Sequence, residues 1–166
     1  LIADKKSLVG INTHLTNKIV LEAFKEKKIK ELIEFDNIKS EVFYSKETRF
    51  DFFITKDKRK CFLEVKNVTL SRTKGTAEFP DAITSRGSKH LNELIAAKKK
   101  GFDSCILYLI QRNDCKKFKI ASDIDEKYNL LFQKAIQSNI KILCYDCKIT
   151  NKEIKLNNQI KYESRL

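Results

Sequence analysis

Three charged side chains, Asp51, Glu64 and Lys66, interrupt two hydrophobic segments that otherwise have the pattern of neighbouring buried strands. The polar run KDKRK at residues 56–60 joins the two segments, which is typical of a hairpin turn. A turn centred between residues 57 and 58 places Asp51 opposite Glu64 across the hairpin. Lys66 lies two residues beyond Glu64 and therefore shares its face of the sheet.

Two opposed carboxylates destabilise an ordinary sheet, and a divalent cation removes that conflict. Mg²⁺ prefers oxygen ligands and is typically held by one or two carboxylates, water and substrate phosphate. The adjacent lysine can orient or deprotonate a water, or neutralise charge that develops on a phosphate. An acid, a turn and then E-x-K therefore indicate metal-assisted phosphodiester hydrolysis. The alternative is a polar sheet face on which Glu64 pairs with Lys66 or Arg49.

Further polar residues lie on both sides of the predicted hairpin. Glu22, on the preceding helix, could face the sheet as an additional acid, whereas a solvated face explains Glu41 better. Donors at the start of the following helix could bind a phosphate at a helix N-terminus: Arg86, Lys89 and His90. A lone histidine, however, is more often a surface or packing residue than a general base. Lys98 opens a basic run that could contact phosphate or simply complement the helix dipole.

The composition is that of one globular domain with a basic surface. Of 166 residues, 42% are hydrophobic, which is enough to bury a core. Lys and Arg number 34 against 22 Asp and Glu, for a net charge of +12. That charge attracts polyanions such as nucleic acid, although a lysine-rich surface that serves solubility has the same balance. No apolar run approaches the roughly 18 residues of a membrane span, and no signal peptide opens the chain. We therefore expect a cytoplasmic protein without a membrane partner.

The five cysteines mostly lie within apolar, strand-like runs. We expect reduced thiols in a reducing cytoplasm. Cys144 and Cys147 form a lone CxxC, whereas a zinc ribbon needs a second pair. Residues three apart on a strand point to opposite faces, so structural thiols are favoured over a metal or redox site.

Hydrophobic periodicity predicts the elements that must position these residues. The expected order is helix, three antiparallel strands, helix, strand, helix, strand, which is a mixed α/β sheet flanked by helices. The helices are expected at residues 17–34, with a break near residues 27–28, at 84–100 before Gly101, and after a capping box at 122–125. The strands are expected at 38–44, 49–55, 61–68, 104–110 and 140–149, with a pairing partner at 153–156 for the last. Residues 6–13 are expected to form a short strand and turn, and residues 70–83 a loop.

Longer motifs around the hairpin resemble the sugar fermentation stimulation protein family. The likeness runs over nearly all of the chain and is carried by INTHLTNKIVLEAF (11–24), SEVFYSKETRFDF (40–52), EVKNVTL (64–70), FPDAITSRGSKHLNEL (79–94) and DIDEKY (123–128).

The resemblance implies an N-terminal OB-fold domain followed by a domain of the PD-(D/E)XK nuclease type. Residues 1–12 are then a remnant of the first domain and residues 13–166 the second, and the absence of an initiator Met leads us to expect more chain before Leu1. The nuclease-type motif falls on Asp51, Glu64 and Lys66. Mg²⁺, with Mn²⁺ as the alternative, would be held by the two acids and the Val65 carbonyl. Phe50 precedes the first acid where the motif has Pro, a departure that many members of that superfamily share.

Three functions follow from the residues and the resemblance together. The family is described as binding DNA without sequence preference, with a suggested regulatory role in sugar (maltose) metabolism. The favoured hypothesis is therefore a non-specific DNA-binding protein with a nuclease-type metal site. The alternative is an active Mg²⁺-dependent nuclease, and a third is an interaction module in which the charges form only an ion pair. The number of subunits stays open, a dimer included.

Overall fold

A six-stranded sheet, a four-stranded sheet and three α-helices account for most of the chain that the computed structural model describes, which is residues 2–4, 7–10 and 14–163. The helices are α1 (His14–Lys25), α2 (Ser85–Lys99) and α3 (Glu126–Gln137), and a 3-10 turn covers Lys30–Leu32. The strands are β1 (Ile2–Asp4), β2 (Ser7–Val9), β3 (Asn37–Phe43), β4 (Arg49–Lys56), β5 (Arg59–Val68), β6 (Leu70–Thr73), β7 (Thr76–Phe79), β8 (Asp103–Ile110), β9 (Lys117–Ile120), β10 (Lys141–Ile149), β11 (Ile154–Gln159) and β12 (Lys161–Tyr162).

The six-stranded sheet has the order β11-β10-β8-β5-β4-β3. Strand β4 is antiparallel to both β3 and β5. Strand β8 is parallel to both β5 and β10, and β11 is antiparallel to β10. The predicted mixed α/β sheet and its element order are thereby confirmed. The assignment to the PD-(D/E)XK type stays a prediction.

Each face of this sheet has its own hydrophobic core. On one face, α2, α3 and the four-stranded sheet cover side chains such as Phe62, Ile106 and Tyr108. On the other face, α1 covers Leu63 and Leu107. The central strand β8 is buried on both faces, as its continuous apolar sequence predicts.

The β4–β5 hairpin has the predicted register. Phe53 pairs with Phe62, and the ladder runs from the pair Lys56–Arg59 at the turn to the pair Phe52–Leu63. The turn residue Asp57 has φ 50°, a left-handed conformation that Asp tolerates better than most residues. This register is what places Asp51 and Glu64 at the same level of the sheet.

Two predicted helix ends are confirmed, and a third is corrected. The helical pattern at 17–34 is broken at Lys27, where φ is 55°, and Gly101 ends α2 with φ 91°. The helix α3 begins after Asp125, not at the start of the 122–125 motif. Oδ1 of Asp125 accepts from the Tyr128 amide at 2.9 Å, and Oδ2 accepts from the Thr84 amide at 2.9 Å. One carboxylate therefore caps α3 and fixes the chain where α2 begins.

The prediction of a loop over residues 70–83 is wrong for its first part. Strands β6 and β7 form a tight hairpin around Gly75, whose φ is 79°. β7 then pairs in parallel with β9, a strand about forty residues further along the chain that the sequence pattern also did not reveal. Strands of four residues are too short to show a clear period, and their stability comes from these distant partners.

All five cysteines are buried free thiols. Cys144 lies in the core beneath α2 and α3, whereas Cys147 lies in the core beneath α1. The prediction that the CxxC thiols point to opposite faces is confirmed. Burial raises the pKa of the Cys61 and Cys147 thiols to about 12, so they are not nucleophilic at neutral pH.

The segment before α1 forms a short antiparallel pair, β1 with β2, and the Gly10 amide donates to the Gln111 carbonyl at 2.9 Å. The strand predicted within residues 6–13 is β2, while residues 6 and 11–13 lie outside the described residues. The assignment of residues 1–12 to a preceding OB-fold domain stays a prediction. Among the described helices, none is long and apolar enough to cross a membrane.

The double role of Asp125 can be tested by comparison with Ser122, the first residue of the predicted capping box. Asp125→Ala removes the α3 cap and leaves the partly buried Thr84 amide without its acceptor, so we expect a loss of about 2 kcal/mol in the free energy of unfolding. Ser122 is exposed, and Ser122→Ala should change that energy by less than about 0.5 kcal/mol. Urea denaturation of both variants measures the difference, and equal losses would show that the cap is misplaced.

Candidate functional site

Asp51 lies where β4 separates from β5. The backbone ladder stops at the pair Phe52–Leu63, and beyond it Oδ2 of Asp51 accepts from the Val65 amide at 2.8 Å. Phe50 packs in the core beneath α2 while Phe52 packs in the core beneath α1, although residues two apart on a regular strand share a face. The regular alternation of side chains along β4 is therefore interrupted at Asp51. There the Asp51 carboxylate, in place of a main-chain carbonyl, accepts the hydrogen bond from the β5 backbone.

Helix α1 supplies the second contact to this carboxylate. Nδ2 of Asn17 donates to Oδ1 of Asp51 at 2.8 Å. Both oxygens of Asp51 thus have a fixed donor, one from the helix and one from the neighbouring strand. The side chain is held in one orientation at the edge of the site.

Glu64 is almost fully buried, with 3% of its surface exposed. Its Oε1 accepts from Nζ of Lys66 at 2.7 Å and contacts Nδ1 of His90 on α2. The same His90 nitrogen lies 3.3 Å from Nζ of Lys66. Oε2 of Glu64 is also buried, but it has no hydrogen-bond partner among the residues that the structure describes.

The two carboxylates have opposite electrostatic environments. Burial and the nearby charge of Glu64 raise the pKa of Asp51, and its hydrogen bonds from Val65 and Asn17 offset this only in part. Burial alone would raise the pKa of Glu64 as well, but the hydrogen bond with His90 and the charge of Lys66 outweigh it and lower that pKa. Glu64 is therefore a compensated anion, whereas the negative charge on Asp51 lacks full compensation.

These features fit a divalent cation between the two acids. An unpartnered buried carboxylate oxygen and an undercompensated second carboxylate are the hard oxygen ligands that Mg²⁺ prefers. Over the described residues, no three His, Cys, Asp or Glu side chains are grouped at metal-ligand spacing. A cation here would therefore need backbone oxygen, water or phosphate as its remaining ligands, and the Val65 carbonyl stays a predicted one.

The structure does not bring Glu22 into this cluster. Glu22 lines a small pocket beside Lys155 and Leu156, next to the strand β11 at the opposite edge of the sheet from β3. It lies five residues beyond Asn17 on α1, which is about 140° around the helix. The helix therefore contributes an amide to the site and not the predicted acid.

A groove of about 690 Å³ opens beside the cluster, lined by Phe43, Glu47, Arg49, Ser85, Arg86, Lys89 and His90. Arg86 is exposed in this groove, and Nζ of Lys89 bonds to the Glu47 carboxylate at 3.0 Å. His90 is only 5% exposed, and it connects the groove to the cluster because its ring nitrogen contacts Glu64. Three of the four residues predicted to contact phosphate thus lie at one place.

Lys98 lies elsewhere. It is in the last turn of α2, about 18 Å along the helix axis from Arg86, and its Nζ pairs with Asp103 at 3.1 Å. Lys98 therefore fits the alternative prediction, a cation that complements the dipole at the C-terminus of the helix, better than a phosphate contact in this groove.

Two supporting residues were missed by the sequence analysis. Asn17 falls within the segment INTHLTNKIVLEAF, which carries the family resemblance, and that was the available signal. Gln111 directly follows the apolar run of β8 and is fully buried. Its Nε2 donates to Thr16 at 2.9 Å and to Asn67 at 2.7 Å, which ties the start of α1 to β5 beside the site.

The chain is similar to known proteins over most of its length. Residues 14–153 match the family model described as "Sugar fermentation stimulation protein RE domain". A sugar fermentation stimulation protein homolog of Pelagibacter ubique is 52% identical over 97% of this chain and 69% of its own length, and one of Agrobacterium fabrum is 39% identical over 95% and 66%. The solved structure of Pyrococcus furiosus SfsA in complex with Ca²⁺ superposes with a TM-score of 0.89, at 26% identity, over 96% of this chain and 69% of that one. The chain therefore spans about two thirds of the length of these proteins.

The environment of Asp51 predicts a cost in stability that depends on pH. Because its pKa is raised, the folded protein binds the Asp51 proton more tightly than the unfolded chain does, whose carboxyl has a pKa of 3.8. The free energy of unfolding therefore falls as the pH rises from 3.8 through the raised pKa. Asp51→Asn removes this effect, and the amide introduced at this position keeps both hydrogen bonds if the Asn17 amide turns over. In EDTA we expect the variant to be more stable than the wild type at pH 7, and the difference to shrink towards pH 4.

Urea denaturation at several pH values measures this difference. Asp81→Asn is the matched control, because Asp81 is exposed in the loop before α2 and its replacement should change little at any pH. If Asp51→Asn is less stable than the wild type at pH 7, the carboxylate is compensated and the electrostatic description of the site is wrong.

Proposed function

The chain belongs to the sugar fermentation stimulation protein family, and from this premise we propose that it binds DNA without sequence preference beside a divalent-metal site of the nuclease type. The observation that carries the proposal is the unpartnered Oε2 of Glu64, next to the undercompensated charge of Asp51. The family is named for sugar fermentation stimulation, and a DNA-binding role in regulating sugar metabolism is part of the same proposal.

The metal part of the proposal assigns Mg²⁺, or Mn²⁺, to Asp51, Glu64 and the Val65 carbonyl. It is supported by the relative from Pyrococcus furiosus, whose structure is in complex with Ca²⁺. Ca²⁺ and Mg²⁺ are both hard cations that take oxygen ligands. The chemistry of the two carboxylates suits either ion.

The DNA part is supported by charge. The chain has a net charge of +12, and Arg49, Arg86 and Lys89 line the groove that reaches the carboxylates through His90. Contacts from such residues to phosphates carry no sequence information, which agrees with binding without sequence preference. They also make the affinity fall steeply with salt, because each phosphate contact releases counterions.

Hydrolysis of the phosphodiester bond is the second candidate function, and the placement of Lys66 favours it. A divalent cation, when bound, supplies Lewis acidity and a water that is more acidic than bulk water. The Lys66 side chain is 12% exposed and is held on Glu64 at 2.7 Å, with His90 on its other side. Its ammonium group can donate to the attacking water, or to a phosphate oxygen as negative charge develops there.

Metal binding by the two acids is directly measurable. A divalent cation that binds the folded chain at about 100 times its Kd should raise the free energy of unfolding by about 2.7 kcal/mol. Asp51→Ala removes one of two carboxylate ligands and should abolish most of this gain. Calorimetric titration with Mg²⁺, Mn²⁺ and Ca²⁺ gives the affinities. Glu22→Gln, placed outside the cluster, should bind as the wild type does, and unchanged affinity in Asp51→Ala would sink the site assignment.

Binding and cleavage can be separated with Lys66. We expect Lys66→Ala to lower metal-dependent DNA cleavage by about 10²- to 10³-fold, because it removes one donor to the reacting groups, while DNA binding in Ca²⁺ changes only a few-fold. The measurement follows single- and double-stranded DNA in Mg²⁺, Mn²⁺ or EDTA. Lys98→Ala removes a lysine from α2, far from the groove, and should cleave normally. Salt-sensitive binding without cleavage under any condition would exclude hydrolysis and leave the binding function standing.

A further inference from the structure

The groove contains an aromatic side chain that is largely exposed. Phe43 is the last residue of β3 and is 68% exposed. The guanidinium of Arg49, which pairs with Phe43 across β3 and β4, lies 5.7 Å from the centre of its ring. The residues around it in the groove are otherwise polar or charged. Most of the Phe43 ring therefore faces the open groove, with a cation held beside it.

An exposed aromatic ring among cations suits single-stranded nucleic acid better than a duplex. A duplex keeps its base faces stacked inside and presents phosphates and groove edges. A single strand exposes base faces, which stack on aromatic side chains, while cations bind its backbone. The groove volume of about 690 Å³ lies in the range of about 300 to 1,000 Å³ that is typical of sites for small molecules. It therefore suits a nucleotide segment that enters it.

Charge also decides against a second copy of the chain as the occupant. The groove is lined by three cations, Arg49, Arg86 and Lys89, and by the acid Glu47, which pairs with Lys89. Arg49 also pairs with Glu41 on β3, so three cations face two acids. A copy that itself has a net charge of +12 is repelled from such a surface at long range. A polyanion with flat apolar faces has the complementary chemistry.

We propose that the groove binds single-stranded DNA, with one base stacked on Phe43 and adjacent phosphates on Arg49 and Arg86. This inference rests on the proposed function and specifies its substrate. Because His90 lines the groove and contacts Glu64, a strand in the groove lies against the carboxylate cluster. Phe43 is then a specificity-determining residue that distinguishes unpaired from paired DNA.

The test compares affinities for a single strand and for the duplex of the same length, in Ca²⁺ and at fixed ionic strength, by fluorescence anisotropy. We expect Phe43→Ala to weaken binding of the single strand about tenfold, in line with the loss of one stacked base, and to change duplex binding by less than about twofold. Phe43→Tyr keeps a ring and should retain the wild-type affinity. Ile83→Ala is the matched control, because Ile83 is also exposed and apolar but does not line the groove.

A single strand with abasic sites gives a second, independent measurement. It has phosphates but no bases at those sites, so wild type and Phe43→Ala should bind it equally. Equal effects of Phe43→Ala on single strand and duplex, or none on either, overturn the inference while DNA binding itself persists. Absence of binding to both forms at low salt overturns the proposed function instead. Self-association that Phe43→Ala abolishes, without any effect on DNA, would show that the groove is an interface between copies.

Discussion

The hydrogen bond from the Val65 amide to the Asp51 carboxylate is the interaction on which the site depends. Strands β4 and β5 separate beyond the pair Phe52–Leu63, and this separation deprives a partly buried amide of its main-chain acceptor. A buried amide without an acceptor costs free energy comparable to a lost hydrogen bond. The Asp51 side chain supplies the acceptor at 2.8 Å. The same hydrogen bond therefore compensates the separation of the two strands and fixes a carboxylate at that point. Asn17 then fixes the other oxygen of that carboxylate.

The arrangement around Glu64 differs from that of an ordinary ion pair. The pair with Lys66 that a polar sheet face would have is present, at 2.7 Å. It uses only Oε1, however, and His90 contacts that same atom. A buried ion pair whose purpose is structural should satisfy the remaining oxygen as well, yet Oε2 has no partner among the described residues. The ion-pair explanation thus accounts for one oxygen, and the cation that we propose would account for the other.

The hairpin and its register could be predicted from sequence because a short turn and alternating side chains leave few pairings. The break at Lys27 and the end of α2 at Gly101 were likewise encoded locally. The site could be predicted only in part, because its supporting contacts join distant segments. Asn17 reaches Asp51 across 34 residues, and the rotation of α1 against the sheet, which directs Asn17 and not Glu22 to the site, depends on packing. Strands β6, β7 and β9 were missed for the same reason, since each is too short to be stable without its partner.

The outermost strand β3 has an irregularity that bears on how molecules meet. Glu41, the fifth of its seven residues, has φ 55°, and the ladder to β4 skips it. A regular edge of that length presents a continuous row of amides and carbonyls to which a strand from another molecule can add. Here the row is broken at Glu41, two residues before Phe43. The rim of the groove is thereby protected from intermolecular β-sheet growth, which lets the protein keep an exposed aromatic residue there without a strong tendency to aggregate.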